Sequence, residues 1–573
     1  MRRLYIYSFV FLLVVLFLAE FFHPITAINV DLGRHLLLGK IIALTHHVPQ
    51  TNLLSYTYPN FPYINTSWLS DVVYYFLFTI GGFDLLLLAN TFIIAVAFGL
   101  LVFIAVKKNG LTFITLFASA LYLLLLGLRP DIRPEVMSML CLSLFMILLY
   151  TTRKTDKKIL FFLIPIELFW VNLHIYFFVG PMLVLLFLFD FLIRNSFQYV
   201  KAKIYFIVLI GTIIATILNP NGLKGALFPF TVFNNYGFPI VENQSFLRLF
   251  SVYHSSEILL PGILILLLFT VLFLARKNTR SIDWLLAIVF SLAAFFIFRN
   301  ILLFVFTTFL SFTTQLNFLV KKYHTVWKNL PKVSYILIYP LSLVFLILFI
   351  LSSLSNNGLG FGVQANGEKA VNFLIVNKIK GPIYNNFDIG DYLSYRLYPQ
   401  KVFIENRPEA YPSSFFKQIY IPMQNNFEIF QKIDKKYLFN AIVISYWDDT
   451  PWGSELLKYL VNNSNFKLIY FDENTIILIR NTQLGKALIT KYQIKEQGLE
   501  INNSKTQQEL IHYLFFFEKV GWTQQELVIL GLIREIDPQL CVLETYPLEK
   551  SYIQQYINTQ KLNKNCPELL FTK

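Results

Sequence analysis

Residues 4–22 read LYIYSFVFLLVVLFLAEFF, and residues 29–36, a few positions on, read NVDLGRHL. Glu20 is the only charge in the first stretch. Lipid offers the backbone no hydrogen-bond partner, so an apolar run of this length satisfies itself only as a helix. Met1-Arg2-Arg3 precedes it and no small-x-small cleavage pattern follows, so it reads as a retained first helix rather than a signal peptide. The second stretch sets an acid, an arginine and a histidine just where that helix leaves the apolar phase.

The rest of the chain repeats the first stretch. Apolar runs fall near 84–106, 111–128, 134–150, 158–174, 176–193, 204–218, 257–275, 282–298, 301–319 and 333–354. With the first run they make about 11 spans on the 20-residue criterion. Hydrophobic residues are 56% and charged residues 14% of the 573, against about 25% charged in ordinary soluble domains. Mean hydropathy is +0.56. A water-soluble globular enzyme and a disordered chain are excluded. The fold class is a polytopic α-helical membrane protein whose lipid bilayer is its first partner.

The net charge of +14 is not a nucleic-acid footprint. Residues 1–354 carry 25 Lys and Arg against 12 Asp and Glu, whereas 355–573 are nearly balanced at 23 against 22. The excess lies in loops between spans, and 18 of those 25 cations fall in one alternate set of loops. The other set holds Arg34, Lys40, Arg129, Arg133, Lys224, Arg248 and Arg299. The positive-inside rule then puts the N-terminus in the cytoplasm and the C-terminal tail outside, in a cell inner (cytoplasmic) membrane. Asp31, Asp71, Asp131, Glu135, His174, Glu242 and Glu257 all fall on the outer side. Acids contribute little to orientation, so their gathering there marks the outer face as the place for a chemical site.

The first outer loop, 23–83, holds Leu37, Ile41 and Leu44 at helical spacing, which reads as an interfacial helix, and a short helix from Trp68 to Ile80 stopped by Gly81-Gly82. The tail reads as α/β: strands over 382–387, 401–405, 441–446, 467–471 and 475–480, helices over 369–378, 392–397 and 454–461. From 484 the pattern is helical, clearest over 509–518 and 526–536. The expected division is a membrane domain 1–354, an extracytoplasmic α/β domain 355–480 and a helical extension 481–573. Nucleotide-binding glycine loops and metalloprotease or kinase motifs are missing from the sequence. Cys141, Cys541 and Cys566 fit no zinc spacing; a Cys541–Cys566 bridge suits an exported tail.

The order Asn29-Val30-Asp31-Leu32-Gly33-Arg34-His35-Leu36, Pro49-Gln50-Thr51-Asn52-Leu53-Leu54-Ser55, Asn65-Thr66-Ser67-Trp68-Leu69, Arg133-Pro134-Glu135, Asn172-Leu173-His174, Leu218-Asn219-Pro220-Asn221-Gly222 and Arg299-Asn300-Ile301 resembles that of bacterial GT-C-type membrane glycosyltransferases. In the tail, Asn386-Phe387-Asp388-Ile389-Gly390-Asp391-Tyr392 and Val402-Phe403-Ile404-Glu405-Asn406-Arg407 extend it to about residue 480. The resemblance implies a GT-C-like fold and sugar transfer from a polyprenyl-phosphate-linked donor to a glycan, lipid or protein acceptor. It puts Asp31 at the position of a base or metal ligand; that pattern often has two acids, and Asn29 stands where the other would be. A divalent cation, Mg or Mn, is the cofactor such a site would take, with Asp31 as its ligand.

The chemistry itself asks for a base, cations for a phosphate leaving group and an apolar groove. Asp31 is the expected base, with His35 one turn on to orient it. Arg129, Arg133 and Arg299 are the expected phosphate donors, since guanidinium matches phosphate in bidentate fashion. Arg34, Asp71, Glu135, His174 and Glu242 complete the candidate site. Glu167 shares a helix face with His174 and is expected to pair with it or with an arginine. Asp388, Asp391 and Arg407 are candidates to shape an acceptor entrance, with loop-capping and salt-bridge roles as the alternative. A transporter, or an inactive scaffold that binds lipid-linked glycan, is the competing reading; neither the paired broken helices nor the internal repeat of a transporter is visible. For topology, cysteine placed at Lys201 should be labelled only after permeabilisation, and cysteine at Lys417 in intact cells; the reverse pattern would move the site to the cytoplasmic face.

Overall fold

In a computed structural model the described residues are 2–26, 31–152, 157–232, 236–253, 256–327, 333–364, 367–447, 450, 453–499, 501 and 506–536. Asn29, Cys541 and Cys566 lie outside them, and Cys141 is a buried free thiol. The chain is mostly helical. Helices form over every apolar run: α1 (Arg2–Phe21), α2 (Leu32–Thr45), α3 (Trp68–Asn109), α4 (Phe113–Gly127), α5 (Glu135–Thr151), α6 (Leu163–Leu173), α7 (Val179–Arg194), α8 (Lys203–Ile217), α9 (Gly222–Thr231), α10 (Phe246–Tyr253), α11 (Ser256–Leu274), α12 (Ser281–Phe296), α13 (Ile301–Trp327) and α14 (Val333–Asn357). Among the described residues five are long and apolar enough to cross a membrane: Trp68–Asn109, Ile175–Arg194, Tyr199–Ile217, Phe298–Tyr323 and Pro340–Asn357. Shorter apolar helices include Tyr5–Phe21, Phe113–Gly127, Glu135–Thr151, Ile258–Leu274 and Ser281–Phe296.

The helices share one apolar core in which Leu16, Phe145, Trp170, Phe187, Phe290, Phe304 and Phe309 are fully enclosed. The links at its two ends differ in chemistry. At one end Lys108 and Arg280 both stand over the ring of Tyr150, at 4.8 and 4.2 Å, and Lys157 over Phe191. At the other end the links α4–α5, α6–α7 and α12–α13 carry Arg133, His174 and Arg299. These described members of the two alternate sets of loops thus lie at opposite ends.

α2 departs from its reading as an interfacial helix. Leu32 to Leu38, Ile41 and Ile42 are buried, because α3 covers one side and a tail helix, α16 (Phe387–Leu397), covers the other. Gly39 permits the contact: a Cβ there would stand 2.0 Å from the backbone oxygen of Asp71. α2 ends at His46, φ 57°, ahead of Pro49. α3 is broken at Gly81 and Gly82, the latter at φ 61°, so its first half turns away from the membrane-length half.

The tail is built on a four-stranded sheet ordered β1-β2-β4-β3, with β1 (Ile383–Asn385) parallel to β2 (Ala441–Ser445), and β4 (Thr475–Arg480) antiparallel to both β2 and β3 (Phe466–Phe471). Strand side chains alternate between two cores. Tyr384, Ile442, Ile444, Ile476 and Leu478 face one that also takes Leu510, Leu514 and Phe517 from the helix Gln507–Val520. Ile383, Val443, Ile477 and Ile479 face another with Val371 and Leu374 of α15 (Glu368–Val376) and Leu393.

The stretch 401–405 is not a strand, contrary to its pattern. Asn385 takes its hydrogen bonds instead: Phe403 N donates to Asn385 Oδ1 (3.0 Å), and Asn385 Nδ2 donates to Ile404 O (2.7 Å). Its outer side is held by the first outer loop, through Val402 N to Leu54 O and Tyr56 N to Val402 O, both 3.0 Å, and Ser55 Oγ to Phe403 O, 2.9 Å. The loop and the tail are therefore stitched by backbone. Gly39→Ala should lower the melting temperature of the detergent-solubilised protein, corresponding to about 1–3 kcal/mol of overpacking, because backbone rather than a flexible side chain blocks the added carbon; an unchanged melting curve would show that α2 and α3 can separate freely.

Candidate functional site

A cleft of about 370 Å³ lies at the end of the helix bundle where the tail meets it. Asp31, Arg34 and His35 line it from α2 and its approach, and Arg133 and Glu135 from the α4–α5 link. His174, Glu242 and Arg299 come from three further links, and Asp388 and Glu409 from the tail. Arg129 and Asp71 are not on the wall; each stands behind it, bonded to a residue that is. Phe228, Val232, Phe238, Ile240 and Val241 supply an apolar side.

The polar residues form linked pairs. Arg34 donates to Asp31 Oδ1 (2.6 Å) and to Asp391 Oδ2 (2.9 Å), joining loop and tail across 357 residues. Arg133 carries its guanidinium 3.4 Å from Asp31 and donates to Glu242 at 2.7 and 3.0 Å and to Asp131 at 3.2 Å. Tyr74 OH holds the backbone oxygen of Arg133 (2.7 Å), which fixes the link. Arg129 donates twice to Glu135 Oε1, at 3.0 and 2.9 Å, and meets Glu242 at 3.0 Å. Arg299 has no carboxylate within salt-bridge distance among the described residues, and its buried Nε has no hydrogen-bond partner there.

Two sequence expectations change with these partners, and a third is decided between its alternatives. His35 does not orient the Asp31 carboxylate: its Nδ1 meets Asp71 Oδ1 at 2.6 Å, and Asp71 Oδ2 accepts from Asn65 (2.7 Å). Gly39 makes this possible, since α2 and α3 touch one turn away. Glu167 pairs neither with His174 nor with an arginine; both its oxygens lack hydrogen-bond partners among the described residues, and His174 bonds Ser138 at 2.9 Å instead. Of the two readings for Asp391 and Arg407, the structure shows the salt bridges. Asp391 is fully buried between Arg34 and the Asn406 amide (3.0 Å). Arg407 is locked to Glu405 (2.7 Å) and Asn52 (3.2 Å) and lies 4.2 Å over Tyr63. Sequence reasoning missed Tyr63, Tyr236 and Glu409 on the cleft wall; each is unremarkable until the tail closes on the loop.

Electrostatics follow from the pairs. Burial raises the Asp31 carboxyl, but Arg133 and Arg34 outweigh it and hold it far below the usual carboxylate range. Burial likewise raises Glu242, and Arg133, Arg129 and Arg299 bring it down to about 2. Depressed carboxylates contribute their stability above their unfolded values and lose it only as pH falls through the folded ones. Both are therefore ionised throughout the neutral range. With its oxygens turned to two guanidiniums, Asp31 lacks the clustered carboxylates that a divalent cation favours. No group of three or more His, Cys, Asp or Glu that would hold a metal occurs among the described residues.

No protein-family model matches the chain, and no curated protein matches it in sequence. Solved structures do. Archaeal oligosaccharyltransferase AglB from Archaeoglobus fulgidus, in complex with an inhibitory peptide and a dolichol-phosphate, has TM-score 0.59 at 10% identity, covering 99% of this chain and 87% of that one. The Archaeoglobus fulgidus oligosaccharyltransferase tethered with an acceptor peptide has TM-score 0.55 at 10% identity, covering 84% and 74%. ArnT from Cupriavidus metallidurans, bound to undecaprenyl phosphate, has TM-score 0.47 at 12% identity, covering 83% and 98%. The two oligosaccharyltransferase likenesses define the fold: this chain has the GT-C glycosyltransferase fold.

Asp391→Ala should strip Arg34 of one of its two carboxylates. Breaking a buried pair from one side typically costs about 3–5 kcal/mol, so the variant should melt earlier and release the tail to limited proteolysis near 355–365. Wild-type resistance in that variant would remove Arg34–Asp391 as the strut.

Proposed function

We propose that the chain is a membrane glycosyltransferase that moves a sugar from a polyprenyl-phosphate donor to an acceptor at the outer face of the cytoplasmic membrane. The observation that carries the reading is Arg299: a guanidinium on the wall of a cleft whose other bundle arginines, Arg34 and Arg133, are paired, with no carboxylate within salt-bridge distance among the described residues. A half-buried guanidinium with an enclosed, unpartnered Nε and only more distant acids, Glu135 and Glu242, to balance it has room for an anion, and a phosphate supplies one in the geometry that guanidinium prefers. Arg133 stands across the same cleft as the second phosphate donor, and Arg129 keeps Glu135 and Glu242 in place behind it. The apolar side from Phe228 to Val241 suits the first isoprene units of the lipid. Asp31 holds Arg34 and Arg133 facing inward, and His35, fixed through Nδ1 by Asp71, presents its other ring nitrogen.

The architecture that goes with this reading has the shorter apolar helices and α6 crossing the membrane beside the five long ones, about 11 spans in all. The N-terminus is then cytoplasmic and residues 355–480 extracytoplasmic, with 481–573 as an extension. The solved oligosaccharyltransferase structures that share the fold hold a dolichol-phosphate or an acceptor peptide, which supports a lipid-linked donor and a separate acceptor here.

The test is turnover by the purified protein with a panel of polyprenyl-phosphate sugars, with and without Mg or Mn and a chelator. Transfer is expected from at least one donor. Arg299→Ala should weaken binding of polyprenyl phosphate at least tenfold, and Asp31→Asn should lower kcat by 10² or more at nearly unchanged folding, the order expected when a charged group that organises the reacting centre is neutralised. Donor binding that survives Arg299→Ala, with no transfer by the wild type, would favour an inactive scaffold.

A further inference from the structure

A carboxylate on the tail side of the cleft stands outside the salt bridges found among the described residues. Asp31, Glu135 and Glu242 are each committed to arginines. Glu409 lines the same cleft from the tail side and among the described residues forms no salt bridge within 4 Å; its hydrogen-bond partner is its own backbone amide, and Arg34 and Arg407 act on it from farther off. Resting on the functional reading above, we propose that Glu409 is the general base that takes the acceptor's proton, so that the tail supplies the reactive carboxylate and the bundle supplies the leaving-group site.

The backbone that carries Glu409 is held still. It sits in the short turn Pro408–Ala410, where Ala410 N donates to Arg407 O (2.9 Å) and Tyr411 N to Pro408 O (3.2 Å). Asn52 of the first outer loop donates to Ala410 O (3.1 Å), and Arg407 is locked on the other side by Glu405 and Asn52. A reacting group on such a support loses little freedom when substrate arrives. Asp31 is poorly suited to the same task, because a carboxylate flanked by two guanidiniums holds a proton weakly.

The groups that face Glu409 are Arg34 from α2, Tyr63 from the first outer loop, Tyr236 from the α9–α10 link, and Arg407 and Glu405 from its own segment. Burial pushes its carboxyl up; its own backbone amide, then Arg34 and Arg407, oppose that and Glu405 adds to it, with a net rise. A base raised from the ordinary carboxylate range is better matched to a neutral medium. In the step, the acceptor hydroxyl gives its proton to the Glu409 carboxylate and its oxygen bonds to the sugar C1. The C1–O bond to phosphate breaks, and its electron pair leaves on the polyprenyl phosphate held at Arg299. The acceptor is thus a hydroxyl-bearing molecule that enters between the tail and Tyr63 and Tyr236.

The experiment is the pH dependence of kcat/KM for the full-length wild type, Glu409→Gln and Glu409→Asp, with polyprenyl-phosphate binding measured alongside. The wild-type rate should fall on the acid side as Glu409 takes a proton. Glu409→Gln should lose 10²–10⁴-fold in kcat and lose that acid limb, while binding polyprenyl phosphate as the wild type does. Glu409→Asp should keep the limb at a reduced rate, which a merely structural role would not produce. Wild-type transfer that survives Glu409→Gln within threefold, or an acid limb that persists in it, overturns the base and leaves the glycosyltransferase reading standing. Absence of transfer by the wild type with every donor overturns both.

Discussion

A guanidinium taken out of water must find carboxylates, and Arg34 finds one in each half of the chain. Asp31 stands three residues before it and Asp391 357 residues after it. Breaking either contact would leave a nearly buried charge short of a partner, and buried charges are costly unless paired and hydrogen-bonded. This explains why α2 is enclosed rather than spread on a membrane surface. It also explains why the tail closes the cleft at this place: α16 carries Asp391 to Arg34 as its second carboxylate. The backbone stitching of Leu54 and Tyr56 to Val402 then fixes the angle of approach.

The cleft that results is divided by charge. Arginines from the bundle are interleaved with acids, so that Arg129 and Arg133 share Glu242 and each has a second carboxylate. Such an array is stiff, because moving any side chain strands its neighbours. Arg299 on the bundle side and Glu409 on the tail side form no salt bridge among the described residues. The proposed chemistry needs these two opposite charges, one for the departing phosphate and one for the arriving hydroxyl.

Much of this was readable as pattern and little of it as pairing. Apolar runs located the helices, since helix is the only backbone solution they allow in lipid. Sorting loops by charge separated Lys108 and Arg280 from Arg133 and Arg299, and those two sets do lie at opposite ends of the bundle. Which acid meets which base was not readable. His35 shares a helix face with Asp31 by spacing, yet the crossing at Gly39 brings Asp71 to it first. The 401–405 stretch has a strand's alternation, yet a single side chain, Asn385, takes the bonds that a neighbouring strand would have made. Glu409 looks like an ordinary loop acid until Tyr63 and Tyr236 arrive from elsewhere in the chain. Periodicity reports which face is apolar; it carries no information about partners hundreds of residues away.

The distance between Arg34 and Asp391 along the chain also sets a clock on biogenesis. Translation proceeds at roughly 5–20 residues per second, so the ribosome needs about 20–70 s to travel from one to the other. Through that interval the nascent loop has Asp31 alone as its counterion, and Leu54 and Tyr56 lack the segment they will clasp. The newborn protein is inserted long before it is finished, and a chain released early at any point before α16 is complete would leave the half-made cleft open to water.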